Sequence, residues 1–85
     1  MRQTPRVRAR ANEGKYPYIV ELLVADDELD VALGRRIMNF HRSRKLQARH
    51  GRRIVSEDYQ IYFRWCFSDL ATAHEFMEEF GGAVT

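Results

Sequence analysis

The chain has 85 residues, of which 45% are hydrophobic and 31% charged, and its formal net charge is +2. This composition is typical of a small globular protein and excludes an intrinsically disordered chain. The single cysteine excludes an internal disulfide, and no apolar run reaches the roughly 20 residues that span a bilayer, so we expect a cytoplasmic protein without membrane contact.

The first 15 residues are rich in arginine and show no hydrophobic periodicity, and Pro5 and Gly14 interrupt them. This pattern predicts a flexible basic arm over residues 1–15. The rest of the chain, residues 16–82, is predicted to form a single α+β domain.

Apolar residues alternate from Tyr16 to Val24, which is the spacing of a β-strand. Asp26 is a suitable N-cap for a following helix. That helix is predicted from about Asp27 to Arg42, because its apolar residues recur in one stripe: Leu29, Leu33, Ile37 and Phe40.

Residues 44–58 have the least regular pattern, but Ile54 and Val55 favour a short strand that forms a hairpin with the segment after it. That segment, "YQIYFRWCF" at 59–67, predicts a long strand with one wholly apolar face made of Tyr59, Ile61, Phe63, Trp65 and Phe67. Ser68 and Asp69 are capping residues for a second helix, which Gly81-Gly82 ends. Its apolar stripe is Leu70, Ala73, Phe76, Met77 and Phe80.

The predicted fold is a two-layer α+β sandwich in which both helices cover one face of the sheet, because each helix has a single apolar stripe. The element order, β-α-β-β-α, resembles a ferredoxin-like split βαβ arrangement lacking its last strand. The final strand and helix are also similar in layout to part of the RNA-recognition motif. That family's stacking signature requires a glycine that this strand does not contain, so no residue roles are transferred.

The other sheet face is predicted to be unusually apolar for a surface that meets only water. Glu21 and Arg64 are placed there as a cross-strand pair. We therefore expect this face to be a homodimer interface, or alternatively the platform for a flat ligand such as a nucleobase. The predicted interface residues are Ile19, Leu23, Tyr62, Arg64 and Cys66. On this interpretation the protein is a small, non-catalytic, self-associating interaction or regulatory module.

Residues 35–53 contain eight arginines and lysines and no acid. The alternative interpretation is a nucleic-acid-binding protein that uses this segment and the arm residues Arg6, Arg8 and Arg10. The candidate phosphate contacts are Arg42, Arg44, Lys45, Arg49, Arg52 and Arg53. A third possibility is a solvated surface that Glu75, Glu78 and Glu79 partly neutralise.

No catalytic, metal or cofactor site is predicted, and we expect a protein that is not an enzyme. "HEFME" at 74–78 begins like a zinc-protease helix but has Glu78 where the second histidine is required. His41, His50 and His74 have no productive spacing and are interpreted as surface residues. Cys66 is interpreted as a small core or interface residue.

Overall fold

The computed structural model describes residues 5–24 and 31–85. This part of the chain forms α1 (Pro5–Lys15), β1 (Tyr18–Val24), α2 (Val31–Ser43), β2 (Ile54–Val55), β3 (Ile61–Phe67), α3 (Leu70–Phe80) and β4 (Ala83–Val84). The four strands form one antiparallel sheet in the order β2-β3-β1-β4. The α+β class is confirmed. The predicted helix start at Asp27, its cap Asp26 and the stripe residue Leu29 lie outside the described residues.

Helices α2 and α3 pack on the same face of the sheet, as predicted. β1 and β3 pair so that Val20 is opposite Trp65 and Leu22 is opposite Phe63. Since directly paired residues point to the same side, these positions define the first face of the sheet. The buried core combines that face with both helices: Val20, Leu22, Ile37, Phe40, Trp65, Phe67, Ala73 and Phe76.

The predicted cap of α3 is confirmed, because the Asp69 carboxylate accepts a hydrogen bond from the Thr72 amide at 2.7 Å. The Thr72 hydroxyl also donates to this carboxylate, and the two hydrogen bonds lower the pKa of Asp69. The helix ends at Gly81, whose amide donates to the Met77 carbonyl. The local signals at both ends of α3 therefore act as the sequence indicates.

The predicted hairpin is confirmed, but β3 begins at Ile61 and not at Tyr59. Tyr59 lies in the turn between β2 and β3, with a φ of +63° and 82% of its surface exposed. The turn is closed by hydrogen bonds from the Tyr59 amide to the Ser56 carbonyl and from the Ser56 amide to the Gln60 carbonyl. The inclusion of Tyr59 in the apolar strand face was wrong, because reversing the chain requires a left-handed residue at this position.

The edge of β3 that pairs with β2 also pairs with the residues that precede β2 in the chain. The Gly51 amide donates to the Arg64 carbonyl, and β2 resumes pairing at Ile54, opposite Tyr62. Between these pairs, Arg52 and Arg53 lie opposite the single residue Phe63. Two residues opposite one define a β-bulge. The bulge places two consecutive arginines at the edge of the sheet.

The prediction of a flexible arm is wrong for Pro5–Lys15, which form α1. Arginine and alanine have high helix propensity. The helix stops before Pro17, because a proline disfavours helical geometry at the residue that precedes it. α1 has no apolar stripe, which is why periodicity did not reveal it.

A fourth strand follows α3, although the predicted order lacked one. Gly81 and Gly82 both have a φ of +86°, a conformation that glycine adopts without strain. They turn the chain back so that Val84 pairs with Val20 and Ala83 with Glu21. β4 therefore lies beside β1 at the edge of the sheet.

Candidate nucleic-acid interface

Glu13 attaches α1 to the second face of the sheet, the side opposite α2 and α3. Arg64 lies on this face directly across from Glu21, and its Nη1 donates to Glu13 Oε1 at 2.8 Å. Arg52 donates to the same carboxylate from its backbone amide and its side chain. The Glu13 side chain is only 10% exposed. Although burial raises its pKa, the hydrogen bonds from Arg52 and Arg64 outweigh that effect and lower it, so the carboxylate is ionised at neutral pH.

The predicted cross-strand pair of Glu21 and Arg64 is confirmed, with 3.5 Å between Glu21 Oε1 and Arg64 Nε. Arg64 therefore lies between two carboxylates, those of Glu13 and Glu21. The two carboxylates offset the cost of removing the Arg64 guanidinium from water, since its side chain is only 18% exposed.

Gly51 permits this approach because it has no side chain. A Cβ at this position would lie 2.9 Å from both Arg64 Cβ and Glu13 Oε2. Asn12 adds a second link, since its Nδ2 donates to the His50 carbonyl at 2.9 Å. Two consecutive residues of α1, Asn12 and Glu13, are thus bonded to His50 and Arg52 of the edge segment, which we define as residues 47–53.

A groove of about 910 Å³ runs between α1 and the edge segment, and we call it the basic groove. α1 contributes Arg6, Arg8 and Arg10, and the edge segment contributes Arg49, Arg52 and Arg53. Asn12, Gln47 and His50 add polar groups, and none of the described residues that line the groove is acidic. The described lining of the groove therefore carries six guanidinium groups and no carboxylate, although Glu13, outside this lining, pairs with Arg52.

The arginines of the basic groove differ in how they are engaged. Arg52 is paired with Glu13, and the Arg49 guanidinium lies 5.1 Å from the centre of the Tyr16 ring. Within residues 5–24 and 31–85, no ion pair involves the other four, Arg6, Arg8, Arg10 and Arg53. These four exposed guanidinium groups are available to an anion that enters the groove.

The six predicted phosphate contacts separate into two groups in the structure. Arg49, Arg52 and Arg53 line the basic groove, whereas Arg42, Arg44 and Lys45 lie outside its described lining. Arg44 Nε is 3.0 Å from Glu75 Oε2, and its guanidinium lies 3.8 Å from the centre of the Phe40 ring. This pair confirms the prediction that Glu75 partly neutralises the basic segment.

The predicted interface residues on the second face are covered to different extents within one chain. Ile19 is 9% exposed and Cys66 is 3% exposed, and burial raises the pKa of the Cys66 thiol to about 11. Leu23, by contrast, is 47% exposed, and Tyr62 beside it is half-buried. The premise that the whole second face is uncovered was wrong, because Ile19 and Cys66 are buried within the chain and Glu13 of α1 contacts Arg64.

The interpretation of His41 as a surface residue was also wrong, since it is 2% exposed. Its Nδ1 is 2.8 Å from the Ile37 carbonyl, and its ring stacks on that of Phe67. Burial lowers the pKa of His41, and the nearby Arg44 lowers it further. His50 and His74 are exposed, as predicted, although the centre of the His50 ring lies 4.2 Å from that of Trp65. Partial burial of His50 in this contact, together with His41 nearby, lowers its pKa as well.

Sequence reasoning did not assign a role to Glu13, although one signal pointed to it. Glu13 is the only acidic residue in the first 20 positions, among several arginines. A lone acid in a basic helix is a natural partner for a cation elsewhere in the fold. Which cation it pairs with depends on the packing of α1, which the sequence pattern does not specify.

No protein family model matches this chain, and neither curated proteins nor solved structures gave a significant match. In the described part of the chain, no helix is both long and apolar enough to cross a bilayer. Among the same residues, no group of three histidine, cysteine or acidic side chains is placed to hold a metal ion. The functional interpretation accordingly depends on the geometry of the basic groove.

Proposed function

We propose that the protein is a non-catalytic nucleic-acid-binding module that holds a phosphate backbone in the basic groove. The observation that carries this proposal is the convergence of two separate basic stretches on one groove. Arg6, Arg8 and Arg10 come from α1, and Arg49 and Arg53 come from a segment about 40 positions later. Guanidinium groups suit phosphate because they donate paired hydrogen bonds and stay charged at every physiological pH.

This form of binding is expected to be largely independent of base sequence. Arginines that neutralise phosphates release condensed counterions, so the affinity falls steeply as salt is added. Phosphate contacts position a protein on nucleic acid and carry no direct sequence information. We therefore expect a strong salt dependence and little discrimination between oligonucleotides of equal length.

Fluorescence anisotropy with labelled oligonucleotides tests the proposal. The variant Arg8→Glu/Arg10→Glu reverses two charges in the groove, and Arg35→Glu/Arg42→Glu makes the same change in net charge on exposed positions of α2. At salt concentrations between about 50 and 200 mM, we expect the substitutions in the groove variant to reduce the affinity at least about tenfold more than those in the control. The absence of binding by the wild type at low salt, or equal losses in both variants, would contradict the proposal.

We also interpret β1 to β4, with α2 and α3, as a ferredoxin-like arrangement to which α1 is added on the second face. Two observations support this interpretation. From β1 onward the elements follow the order β-α-β-β-α-β, and the sheet order is β2-β3-β1-β4 with antiparallel pairing throughout. An experimental structure with a different strand order would contradict it.

Self-association is a second candidate function, and one observation favours it. Ile54, Tyr62 and Leu23 are paired in register across three strands, so they form an apolar strip on the part of the second face beyond Arg64. A homodimer that buries this strip should be disrupted by Leu23→Lys. Leu70→Lys is the matched control, because Leu70 on α3 is also 47% exposed. A wild type that light scattering finds monomeric at high concentration would refute this candidate.

A further inference from the structure

We infer that Glu13 is a positioning residue for the basic groove: its carboxylate holds α1 against the edge segment and so sets where the α1 arginines meet a phosphate backbone. This inference rests on the proposed function. It means that an acidic residue strengthens the binding of a polyanion.

The contacts of Glu13 support this role. One carboxylate accepts hydrogen bonds from the Arg52 amide, Arg52 Nε and Nη2, and Arg64 Nη1. The adjacent residue Asn12 bonds to the His50 carbonyl. All of these bonds connect the C-terminal half of α1 with residues 50–52 or with β3. Arg6, Arg8 and Arg10 precede Glu13 on the same helix, so their position over the groove follows from how α1 is held.

Simple electrostatics predicts the opposite effect of removing this charge. Glu13→Gln deletes a negative charge close to the groove and releases Arg52, and both changes should strengthen the attraction of a polyanion. The positioning role predicts weaker binding. If α1 is no longer held against the edge segment, its three arginines no longer form one continuous basic groove with that segment. The sign of the change in affinity therefore separates the two explanations.

A second variant makes the same test without changing any charge. Gly51→Ala introduces a Cβ that would lie 2.9 Å from Arg64 Cβ and from Glu13 Oε2, so it should displace the Glu13 side chain. Gly14→Ala is its matched control, because a Cβ at Gly14 would have no atom within 4 Å. Both glycines adjoin the same contact, but only the change at Gly51 perturbs it.

The experiment is anisotropy of a labelled single-stranded oligonucleotide of about 12 nucleotides, titrated with each full-length variant at several salt concentrations. We expect Glu13→Gln and Gly51→Ala to lower the affinity at least about fivefold and to reduce the slope of log K against log[salt] by about 2. Gly14→Ala should match the wild type. In a Glu13→Gln background, Arg8→Glu/Arg10→Glu should cause a smaller further loss than it does in the wild type.

The outcomes distinguish this inference from the proposed function. If the wild type does not bind, the proposed function fails and this inference fails with it. If the wild type binds and Glu13→Gln binds equally well or more tightly with an unchanged salt slope, only the positioning role is overturned. Circular dichroism checks that each variant is folded. If Glu13→Gln does not fold, Gly51→Ala decides, and wild-type affinity and slope in that variant would overturn the inference.

Discussion

Glu13 and Arg64 are 51 positions apart in the chain, yet Glu13 Oε1 and Arg64 Nη1 are 2.8 Å apart. The pair joins a helix without an apolar stripe to the second face of the sheet. Most surface helices of small proteins are held by burial of an amphipathic face. Here a carboxylate that accepts several charged hydrogen bonds substitutes for that burial, so the stability of α1 docking should depend strongly on one side chain.

Glu13→Gln is therefore expected to lower the free energy of unfolding by about 1–3 kcal/mol, because it leaves a mostly buried Arg64 with Glu21 as its remaining ion-pair partner in the described part of the chain. The matched control is Glu75→Gln, which removes the exposed pair with Arg44 and should cost less than about 1 kcal/mol. Chemical denaturation measures both changes. Equal effects in the two variants would show that the Glu13 contact is an ordinary surface ion pair.

Hydrogen exchange followed residue by residue provides an independent check on α1. In Glu13→Gln, the amides of α1 should exchange faster while those of β1 and β3 stay protected, because the core on the first face is unchanged. Exchange that accelerates equally throughout the chain would instead indicate global destabilisation. Protection of α1 that remains at the wild-type level would contradict the docking role of Glu13.

The parts of the fold that the sequence predicted correctly are those with strong periodicity. The stripe that includes Ile37 and Phe40 marks the buried side of α2, and the alternation from Ile61 to Phe67 identifies β3 as a strand. The cap at Asp69 and the glycines after Phe80 are local signals that depend on few neighbours. Such features are readable because the residues that determine them are adjacent in the chain.

The features that the sequence did not reveal depend on contacts between distant residues or on very short segments. α1 is held by Arg52 and Arg64, which are far from it in the chain. β4 has only two residues, too few to show alternation. The assignment of Tyr59 failed because aromatic alternation continued into a turn. The basic groove was missed as a unit, although all six of its arginines were named, because the predicted arm had no defined position.

The end of α2 offers a test of backbone strain. The Leu46 amide donates to the His41 carbonyl and the Lys45 amide to the Arg42 carbonyl, which is the pattern of a Schellman cap. Lys45 occupies the left-handed position, with a φ of +55°. Lys45→Gly should stabilise the fold by about 0.5–1 kcal/mol, since glycine adopts this conformation without steric cost. Lys45→Ala is the control and should give no such gain. A loss of stability in Lys45→Gly, measured by denaturation, would contradict this account of the cap.

Two other glycines should respond to alanine in opposite directions. Gly34 lies inside α2, and a Cβ there would meet no atom within 4 Å, so Gly34→Ala should stabilise the protein by about 0.5–1 kcal/mol. Gly82 has a φ of +86°, and a Cβ there would lie 2.3 Å from the Glu21 carbonyl oxygen. Gly82→Ala should therefore disrupt the pairing of β4 with β1 and cost about 1–3 kcal/mol. Thermal unfolding measures both, and a stabilising Gly82→Ala would contradict the placement of β4.

The burial of His41 predicts that the protein loses stability in acid. Because burial lowers its pKa in the folded state, the unfolded chain binds more protons than the folded chain once the pH falls below about 6.5. The free energy of unfolding should therefore decrease from about pH 7 to pH 5, and protonated His41 would be a charge enclosed by aromatic rings. His50, which packs on Trp65 and has a lowered pKa, contributes in the same direction.

Urea denaturation at several pH values measures this dependence, and His41→Phe isolates the contribution of the buried imidazole. The variant keeps an aromatic ring against Phe67 but has no group to protonate. We expect its loss of stability between about pH 7 and pH 5 to be clearly smaller than that of the wild type, with His50 contributing to the remainder. Acid sensitivity as large in His41→Phe as in the wild type would show that the proton uptake on unfolding occurs elsewhere.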